Sequence, residues 1–338
     1  MKIHWLIPGI YHSQNELRQS NVASTRMRVA VSIDAMMASG LNSVTCGDNI
    51  SKDTEVIFVG KIGGDCNNGR AKHWLKQINE FKNRHAKVVV DFTDNHAGYD
   101  LNMSGFYRFT LPIADAITVS SQTLANQLNS NLSAKLTIID EPIEFLPLKI
   151  RSAFVNPPTL LWFGHATNLK YFLSFLQAKK HLIEGLNVLV LSNPEGLEFI
   201  RQSEFFKRFN LDLFIWSVDE MIKAARIADI SVLPGDPSDL RKSGVSANRL
   251  ITSLALGLPT AANLMHSYCP YSEYFVDIQS STFSEMLGHP GFFAGKTLKA
   301  QNELIPFFSP EAIRRKWIDF LKTLDVAPPP KIPSFPPP

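Results

Sequence analysis

Short apolar runs rich in β-branched and aromatic residues alternate along the chain with segments whose apolar residues recur every three or four positions. The runs predict strands, and the longer periodic segments predict amphipathic helices. The predicted strands are Ile3–Ile7, Val56–Val59, Lys87–Phe92, Ala116–Val119, Leu136–Ile139, Thr159–Phe163, Asn187–Leu191, Leu213–Trp216, Ile230–Leu233 and Pro259–Ala262. The predicted helices are Arg26–Ser39, Lys72–Arg84, Gln122–Asn129, Lys170–His181, Glu195–Phe206, Asp219–Ala228, Ala247–Leu256 and Pro310–Leu324. This alternation predicts βαβ crossovers, and hence an α/β fold with parallel sheets.

The distribution of the strands predicts two sheets rather than one. Similar numbers of strands precede Pro142 and follow Pro157, and the proline-rich stretch Glu141–Pro158 is predicted to be the linker. We therefore predict two Rossmann-like, doubly wound domains that face a cleft. The predicted divisions are an N-terminal domain at residues 1–145, a C-terminal domain at 146–308, a C-terminal helix at 309–326 and a polyproline-like or disordered tail at 327–338.

Composition excludes several classes of protein. Of the 338 residues, 45% are hydrophobic and 19% charged, which is enough apolar material for two cores. The 3 cysteines are scattered, which argues against a disulfide-stapled fold or structural zinc. A formal net charge of +3 is too even to indicate nucleic acid. No signal peptide or membrane-spanning run is evident, so we expect a cytoplasmic protein and leave peripheral association with the inner face of the membrane open.

Candidate chemistry lies in the strand-to-helix turns, because ligands of open α/β sheets bind at the carboxyl ends of strands. The turn after Thr159–Phe163 contains Gly164, His165 and Asn168, and it places Lys170 in the first turn of a helix. The helix dipole disfavours a cation there unless an anion lies between it and the free N–H groups. The turn therefore predicts a phosphate site, and the alternative is a solvent-exposed lysine.

The loop after Ile230–Leu233 is a second candidate. Lys242, Ser243, Asn248 and Arg249 lie near the start of the next helix in this loop. Charge-assisted hydrogen bonds from such groups suit a diphosphate. The alternative is a solvated basic loop.

A third turn repeats the pattern. The long polar loop Pro8–Ala23 is unusual within a compact domain and is predicted to be functional. It ends at Ser24, Arg26 and Arg28, where a helix is predicted to begin. Three such turns at the edges of two facing domains predict a polyanionic ligand in the cleft.

The turn after Lys87–Val90, at the carboxyl end of that strand, supplies groups for acid–base chemistry. Asp91, Asp94 and His96 lie there, and they have the chemistry of a general base, a nucleophile or an orienting hydrogen-bond acceptor. The alternatives are an N-cap or ion pair for Asp91 and a purely structural role for His96. No second carboxylate cluster supports a metal site, and none is predicted.

Two weaker features border the same cleft. The glycine-rich segment Gly60–Asp65 matches neither common phosphate-loop pattern, and we interpret it as a loop that lines the cleft. Glu141 and Glu144 flank the linker, and we interpret them as ion-pair formers at a hinge.

Several segments of the second half share their order and residue types with one enzyme family. In chain order they are Trp162–Gly164, Asn168–Lys170, Asp229–Pro234, Lys242-Ser243, Asn248-Arg249 and Ala255–Pro259. They resemble the donor-binding half of a GT-B glycosyltransferase, most of all the broad family-4 type. Ala114–Ser121 and Ile138–Glu144 are similar to segments near the end of that family's N-terminal domain and at its crossing between domains. The resemblance covers most of the chain.

The resemblance implies an enzyme that moves a sugar from a nucleotide-sugar donor to an acceptor hydroxyl, without a metal or other cofactor. Lys170, Lys242 and Arg249 would hold the donor phosphates, and the Asp91–His96 turn would deprotonate or orient the acceptor. The Arg26–Arg28 segment would hold an anionic acceptor group or reach the donor phosphates. A saccharide, lipid-linked or protein acceptor, with no nucleic acid, and a role in surface polysaccharide or glycoconjugate synthesis would suit the family.

The chain departs from the family at one point, and two other functions remain open. Many family-4 enzymes carry two glutamates seven residues apart, where this chain has about Gly244 and Thr252. The sequence therefore does not predict the donor base or sugar. One alternative is a nucleotide-sugar epimerase of the same fold, for which His165 and Glu195 are the only hints. The other is a non-catalytic nucleotide-sugar-binding module.

Overall fold

The computed structural model describes residues 1–41, 43–63, 69–99, 103–128 and 132–324. The predicted tail at 327–338 and the last two residues of the predicted C-terminal helix lie outside the described residues, as does part of Gly60–Asp65. The described strands form two six-stranded sheets, in which every pairing is parallel. The predicted α/β class with two doubly wound sheets is confirmed.

The first sheet has the strand order β2-β1-β3-β4-β5-β6. Its strands are β1 (Ile3–Leu6), β2 (Val44–Gly47), β3 (Val56–Val59), β4 (Lys87–Phe92), β5 (Ala116–Val119) and β6 (Lys135–Ile138). The inner strands β1, β3 and β5 are buried along their whole length, which is why they appear in the sequence as continuous apolar runs. The edge strand β2 is partly exposed and carries Thr45 and Cys46, so its pattern does not predict a strand.

Five helices and one π-helical segment belong to this half. They are α1 (Gln14–Arg18), the π-helical Thr25–Ala30, α2 (Val31–Ala38), α3 (Arg70–Lys82), α4 (Ser104–Ile113) and α5 (Gln122–Leu128). The predicted loop Pro8–Ala23 thus contains a helix, which Ser13 caps and whose Leu17 is buried. The sequence does not predict α4, because Gly105 and Pro112 lower its helix propensity.

The second sheet has the order β12-β11-β10-β7-β8-β9. Its strands are β7 (Leu160–Phe163), β8 (Asn187–Ser192), β9 (Asn210–Ile215), β10 (Ile230–Leu233), β11 (Thr260–Ala262) and β12 (Val276–Asp277). From the β9 edge, this is the 3-2-1-4-5-6 order of Rossmann folds. The two-residue strand β12 is too short to produce a sequence signal.

Helices of the second half are shorter than their periodicity predicts. They are α6 (Leu169–Ala178), α7 (Lys180–Ile183), α8 (Pro194–Gln202), α9 (Glu204–Arg208), α10 (Val218–Ile227), α11 (Leu240–Ser243), α12 (Asn248–Ala255), α13 (Thr282–Gly288) and α14 (Ala294–Glu303). The helices predicted at Lys170–His181 and Glu195–Phe206 are each broken in two, at Lys179 and Ser203. None of the described helices is both long and apolar enough to cross a membrane.

The predicted linker is extended and is anchored to the second half. Arg151 pairs with the fully buried carboxylate of Asp229, which also accepts a hydrogen bond from the Thr159 amide. Gly257 has φ +77, and an added Cβ there would lie 2.5 Å from the carbonyl oxygen of Lys149. The turn after α12 therefore needs glycine both for its backbone conformation and for the close approach of the linker.

The last helix, α15 (Pro310–Lys322), returns to the first half. Ser309 caps it as predicted, accepting a hydrogen bond from the Ala312 amide. The indole of Trp317 is fully buried, with its centroid 5.9 Å from that of Trp5 and 6.3 Å from that of Phe58. The hydrophobic core under the first sheet is therefore completed by residues from the far end of the chain.

We predict that Trp317→Ala lowers the free energy of unfolding of the first half by about 3–5 kcal/mol, the usual cost of removing a buried tryptophan side chain. Urea unfolding followed by circular dichroism measures this loss. Lys322→Ala on the exposed face of the same helix serves as the control and should change stability by less than about 0.5 kcal/mol. Equal effects of the two substitutions would contradict the packing described.

Candidate functional site

The two cationic turns of the second half lie side by side. Strands β7 and β10 are neighbours, while the chain after β7 leads to β8 on one side and the chain after β10 leads to β11 on the other. This reversal is a topological switch point, where open sheets leave a crevice for ligands. The turn after Phe163 and the loop after Leu233 border that crevice.

Arg249 joins the two turns. Its Nη2 donates to the carbonyl oxygen of Phe163 at 2.7 Å, and an added Cβ on Gly164 would lie 3.4 Å from the same nitrogen. Within the described residues, its Nε has no hydrogen-bond partner and its guanidinium forms no ion pair with a carboxylate. Burial lowers the pKa of Arg249, and Tyr268 opposes that shift. Arg249 is half-buried, and a partly desolvated cation without a counter-ion is costly, so this position favours a bound anion.

Lys242 points from the same loop toward the first half. It lies in α11, where Asp239 caps the helix by accepting a hydrogen bond from the Lys242 amide. Burial lowers the pKa of its ammonium, while the carboxylate of Asp94 in the first half opposes the shift. Arg241 and Lys61 lower it further. Lys242 therefore faces the predicted acid–base turn across the two halves.

Lys170 has a different environment from the one predicted. Its side chain is 61% exposed, and its Nζ lies 3.4 Å from Oδ2 of Asp239, which also accepts a hydrogen bond from Tyr171. The cation at this helix start thus already has a counter-ion from the chain, and in this arrangement it does not contact Arg249 or Lys242. Its phosphate-binding role stays a prediction that the geometry does not favour.

The other predicted residues of the first cationic turn border the crevice. Gly164 and Asn168 are half-buried, and His165 is exposed and caps the short 3₁₀ turn Ala166–Asn168 by accepting from the Thr167 amide. Partial desolvation of its ring lowers the pKa of His165, as does the positive charge of Lys242. Asn248 lies at the start of α12, and its amide is 3.6 Å from the sulfur of Met27 in the first half. The side chain of Ser243 lies outside the described residues.

The third predicted turn offers no free cation. Nε of Arg26 donates to Oε1 of Glu144 at 2.5 Å, Nη1 donates to the Ser20 carbonyl, and the guanidinium lies 4.5 Å from the Trp216 ring centroid. Ser24 is half-buried and makes no capping hydrogen bond. The partner of Arg26 comes from the predicted hinge, so Glu144 forms the ion pair expected of it.

Arg28 and Asp91 form a buried ion pair. Arg28 is fully buried, and its Nη2 lies 2.5 Å from Oδ1 of Asp91, which is 3% exposed. Oδ1 also accepts a hydrogen bond from Thr118 at 2.7 Å, and Nη1 of Arg28 donates to the carbonyl oxygen of Ile139. Burial alone would lower the pKa of Arg28, but Asp91 outweighs it and raises that pKa. The geometry therefore corrects the cleft role predicted for Arg28, and it supports the ion-pair alternative for Asp91.

Asp94 and His96 are the members of the acid turn that face the second half. Asp94 forms an ion pair with Lys61, which directly follows β3, and its Oδ2 lies 3.4 Å from Nε2 of His96. Burial would raise the pKa of Asp94, but Lys61, His96 and Lys242 together hold it well below its usual range. Asp94 is thus a carboxylate that is ionised at neutral pH, paired with Lys61 of its own half and stabilised electrostatically by Lys242 of the other.

His96 is buried, and its imidazole makes few polar contacts. It is 5% exposed and stacks on Tyr107 with ring centroids 5.7 Å apart. Neither ring nitrogen makes a well-aligned hydrogen bond within the described residues. An imidazole held beside a carboxylate, with both ring nitrogens buried and without a well-aligned partner among the described residues, has the chemistry of a proton acceptor.

Two residues of this cluster were not among the predicted site residues. Lys61 immediately follows Gly60 at a carboxyl strand end, a position that the strand-end rule would have indicated. Glu141 is 7% exposed, and its carboxyl is raised in pKa by burial, with Arg28 and a hydrogen bond from Ser246 opposing the shift. A glutamate beside a proline-rich linker carries no sequence signal of burial.

No protein-family profile and no curated protein sequence matches this chain. Solved structures do match it in fold. TarM matches with a TM-score of 0.58 and 10% identity, over 79% of this chain and 55% of TarM. A glycosyltransferase from Rickettsia africae ESF-5 matches with a TM-score of 0.59 and 12% identity, over 95% of this chain and 98% of that one. An alpha-glucosyltransferase, AGT, in complex with UDP matches with a TM-score of 0.60 and 11% identity, over 95% and 100%.

These similarities establish the fold. This chain spans 55% of the length of TarM and 60% of that of the matching chain of the GtfA/B complex. It spans almost the whole length of the other two structures. Together with the two parallel sheets, the matches confirm the predicted GT-B fold. Membership of family 4 stays a prediction.

We predict that Asp91→Asn lowers the free energy of unfolding by about 3–5 kcal/mol, because it leaves the buried guanidinium of Arg28 without a counter-charge. Urea unfolding measures the loss. Asp34→Asn, which breaks the more exposed ion pair with Arg18, is the matched control and should cost no more than about 1 kcal/mol. A loss of activity at unchanged stability would instead support a catalytic Asp91.

Asp94 should stabilise the folded protein in a pH-dependent way. Because its pKa is lower in the folded state than in the unfolded state, its contribution is present above about pH 3.9 and is lost as the pH falls through the folded pKa. The difference in Tm between the wild type and Asp94→Asn, measured from pH 6 to pH 2.5, should therefore shrink as the pH falls. The exposed Asp212→Asn is the control variant. A difference that does not depend on pH would contradict the ion pair with Lys61.

Proposed function

We propose that the protein is a glycosyltransferase that moves a sugar from a nucleotide-sugar to an acceptor hydroxyl. The observation that carries the proposal is the guanidinium of Arg249, which is half-buried at the switch point of the second sheet, with its Nε buried and unpartnered and no carboxylate paired with it among the described residues. The GT-B fold supports it, since glycosyltransferases, one of them in complex with UDP, share that fold. A donor diphosphate would supply the missing negative charge.

The donor phosphates would bind between the two cationic turns. Lys242 and Arg249, which lie beside the turn that follows Gly164, would contact them. These cations would also stabilise the charge that develops on the departing nucleoside diphosphate. No metal is needed in this scheme, and metal independence is part of the proposal.

The turn Asp91–His96 in the first half would carry out the acid–base chemistry. The acceptor oxygen forms a bond to the anomeric carbon of the sugar, and the bond from that carbon to the phosphate oxygen breaks. The nucleoside diphosphate leaves with the electron pair, and the acceptor proton passes to His96. Asp94 would orient His96, while Asp91 would act only through the buried pair that shapes the turn.

The chemical class of the acceptor is a separate part of the proposed function. A saccharide, lipid-linked or protein acceptor in polysaccharide or glycoconjugate synthesis is the class that we propose, in the cytoplasm or at the inner face of the membrane. The prediction that excluded nucleic acid loses support, because a structure of the same fold holds UDP and a 13-mer DNA containing a HMU base. DNA therefore belongs among the acceptors to be tested.

Removing the positive charge of Lys242 or of Arg249 should weaken donor binding. We expect Lys242→Ala and Arg249→Ala each to raise the Kd of the preferred nucleoside diphosphate about 10- to 150-fold, which corresponds to about 1.5–3 kcal/mol for a charge-assisted contact. Isothermal titration with UDP, GDP, ADP, dTDP and CMP measures this. Lys223→Ala, an exposed lysine of the same half, is the control. Unchanged affinity in both variants, or no nucleotide binding by the wild type, would overturn the donor site.

A sugar-transfer assay distinguishes the proposed glycosyltransferase from the two alternatives of the same fold, an epimerase and a binding module. His96→Gln should abolish sugar transfer and leave nucleotide affinity within about twofold. Release of an altered sugar without any acceptor would instead favour an epimerase, for which His165 and Glu195 are electrostatic neighbours. Binding of nucleotide-sugar without turnover on saccharide, lipid-linked, protein or DNA acceptors would favour a binding module.

A further inference from the structure

The loop that carries Lys242 is held by the opposite half of the molecule. We define the donor loop as residues 240–246, which comprise α11 and the residues up to Ser246. The hydroxyl of Ser121, at the start of α5 in the first half, donates to the carbonyl oxygen of Gly244 at 2.6 Å. The Ser121 hydroxyl also accepts a hydrogen bond from the Leu124 amide at 3.0 Å, so its direction is set by α5.

Gln127 makes a second contact with the donor loop and links it to the acid turn. Its Nε2 donates to the carbonyl oxygen of Leu240 at 3.2 Å. Its Oε1 accepts a hydrogen bond from the side-chain amide of Asn95 at 3.1 Å. Asn95 lies between Asp94 and His96, so one side chain joins the proposed acid–base turn to the loop that bears Lys242.

The fit at Gly244 shows that this contact is close-packed. A Cβ added at Gly244 would lie 2.9 Å from both the nitrogen and the oxygen of the Gln127 amide. No side chain fits at position 244 unless Gln127 moves away. The loop and α5 are therefore matched in shape as well as in hydrogen bonding.

The helix α11 is a single turn and is too short to be stable without contacts to other parts of the protein. α11 has 4 residues, far fewer than an isolated helix needs for stability in water. Its caps are local, and side chains of the first half contact the loop from outside: Ser121 and Gln127 as described above, and Glu141 through its hydrogen bond with Ser246. The position of the Lys242 ammonium in the crevice thus depends on side chains of the acceptor half.

We propose that Ser121 and Gln127 are positioning residues of the donor site, acting through the donor loop rather than by contact with the donor. The proposal rests on the proposed function, because it assigns Lys242 to the donor phosphates. It implies that donor binding requires the two halves to be together. It also implies that the acid turn and the donor loop move as one unit through Asn95 and Gln127.

The test compares two matched pairs of variants on the full chain. Gln127→Ala removes the bridge, and Gln122→Ala removes an exposed glutamine of the same helix that pairs only with Asn126 among the described contacts. Ser121→Ala removes the other hydrogen bond, and Ser121→Thr keeps the hydroxyl. Hydrogen exchange of residues 240–246 without ligand is the first readout, and the Kd for UDP is the second.

We expect Gln127→Ala and Ser121→Ala to speed exchange in the donor loop and to raise the Kd for UDP about 3- to 10-fold, the usual effect of losing one neutral hydrogen bond. Gln122→Ala should change neither, and Ser121→Thr should restore wild-type behaviour. Unchanged exchange in both alanine variants would overturn the proposal. Faster exchange in the alanine variants, together with a wild-type protein that does not bind UDP, would uphold the positioning of the loop and count against UDP as the donor nucleotide.

Discussion

The buried pair of Arg28 and Asp91 is the interaction on which the arrangement of the first half depends. Arg28 leaves the π-helical segment before α2 and reaches β4 at Asp91 and the end of β6 at Ile139. Thr118 on β5 completes the coordination of the carboxylate, and the guanidinium lies 5.0 Å from the ring centroid of Trp317. The ion pair thus links three neighbouring strands, the π-helical segment and the last helix. Such a pair contributes more to specificity than to net stability, but losing one partner is severe.

Because Arg28 and Asp91 pair with each other, neither is available to a ligand. The candidate site is formed by the neighbouring charged residues instead. Asp94 lies between Lys61 of its own half and Lys242 of the other, and the negative charge at the junction is therefore balanced by cations from both. Arg249 lies further into the second half without such compensation among the described residues. The charge at the acid–base turn is therefore balanced, whereas the charge of Arg249 is not. This difference is expected if a polyanion binds beside Arg249 and a neutral hydroxyl binds beside the acid–base turn.

The sequence predicts those features that depend on local pattern, and it misses those that depend on distant partners. Buried strands such as β3 and β5 can be predicted directly from the sequence, since both of their faces are covered and every residue except Thr118 is apolar. The helix-dipole argument identifies cations at helix starts correctly, but it treats an external anion as their only partner. The chain itself supplies Glu144 to Arg26 and Asp239 to Lys170. No sequence signal marks those pairings, because their members are far apart in the chain and meet only in the folded protein.

The return of α15 to the first half also has a consequence for how the protein is made. Trp5 and Phe58 are synthesised early, whereas Trp317, which packs against both, is synthesised after the whole second half. In topological terms, the second half is an insertion within the first. Such distant contacts raise the contact order and slow folding. The core under the first sheet therefore cannot be completed on the ribosome until α15, more than 250 residues after Phe58, has been synthesised.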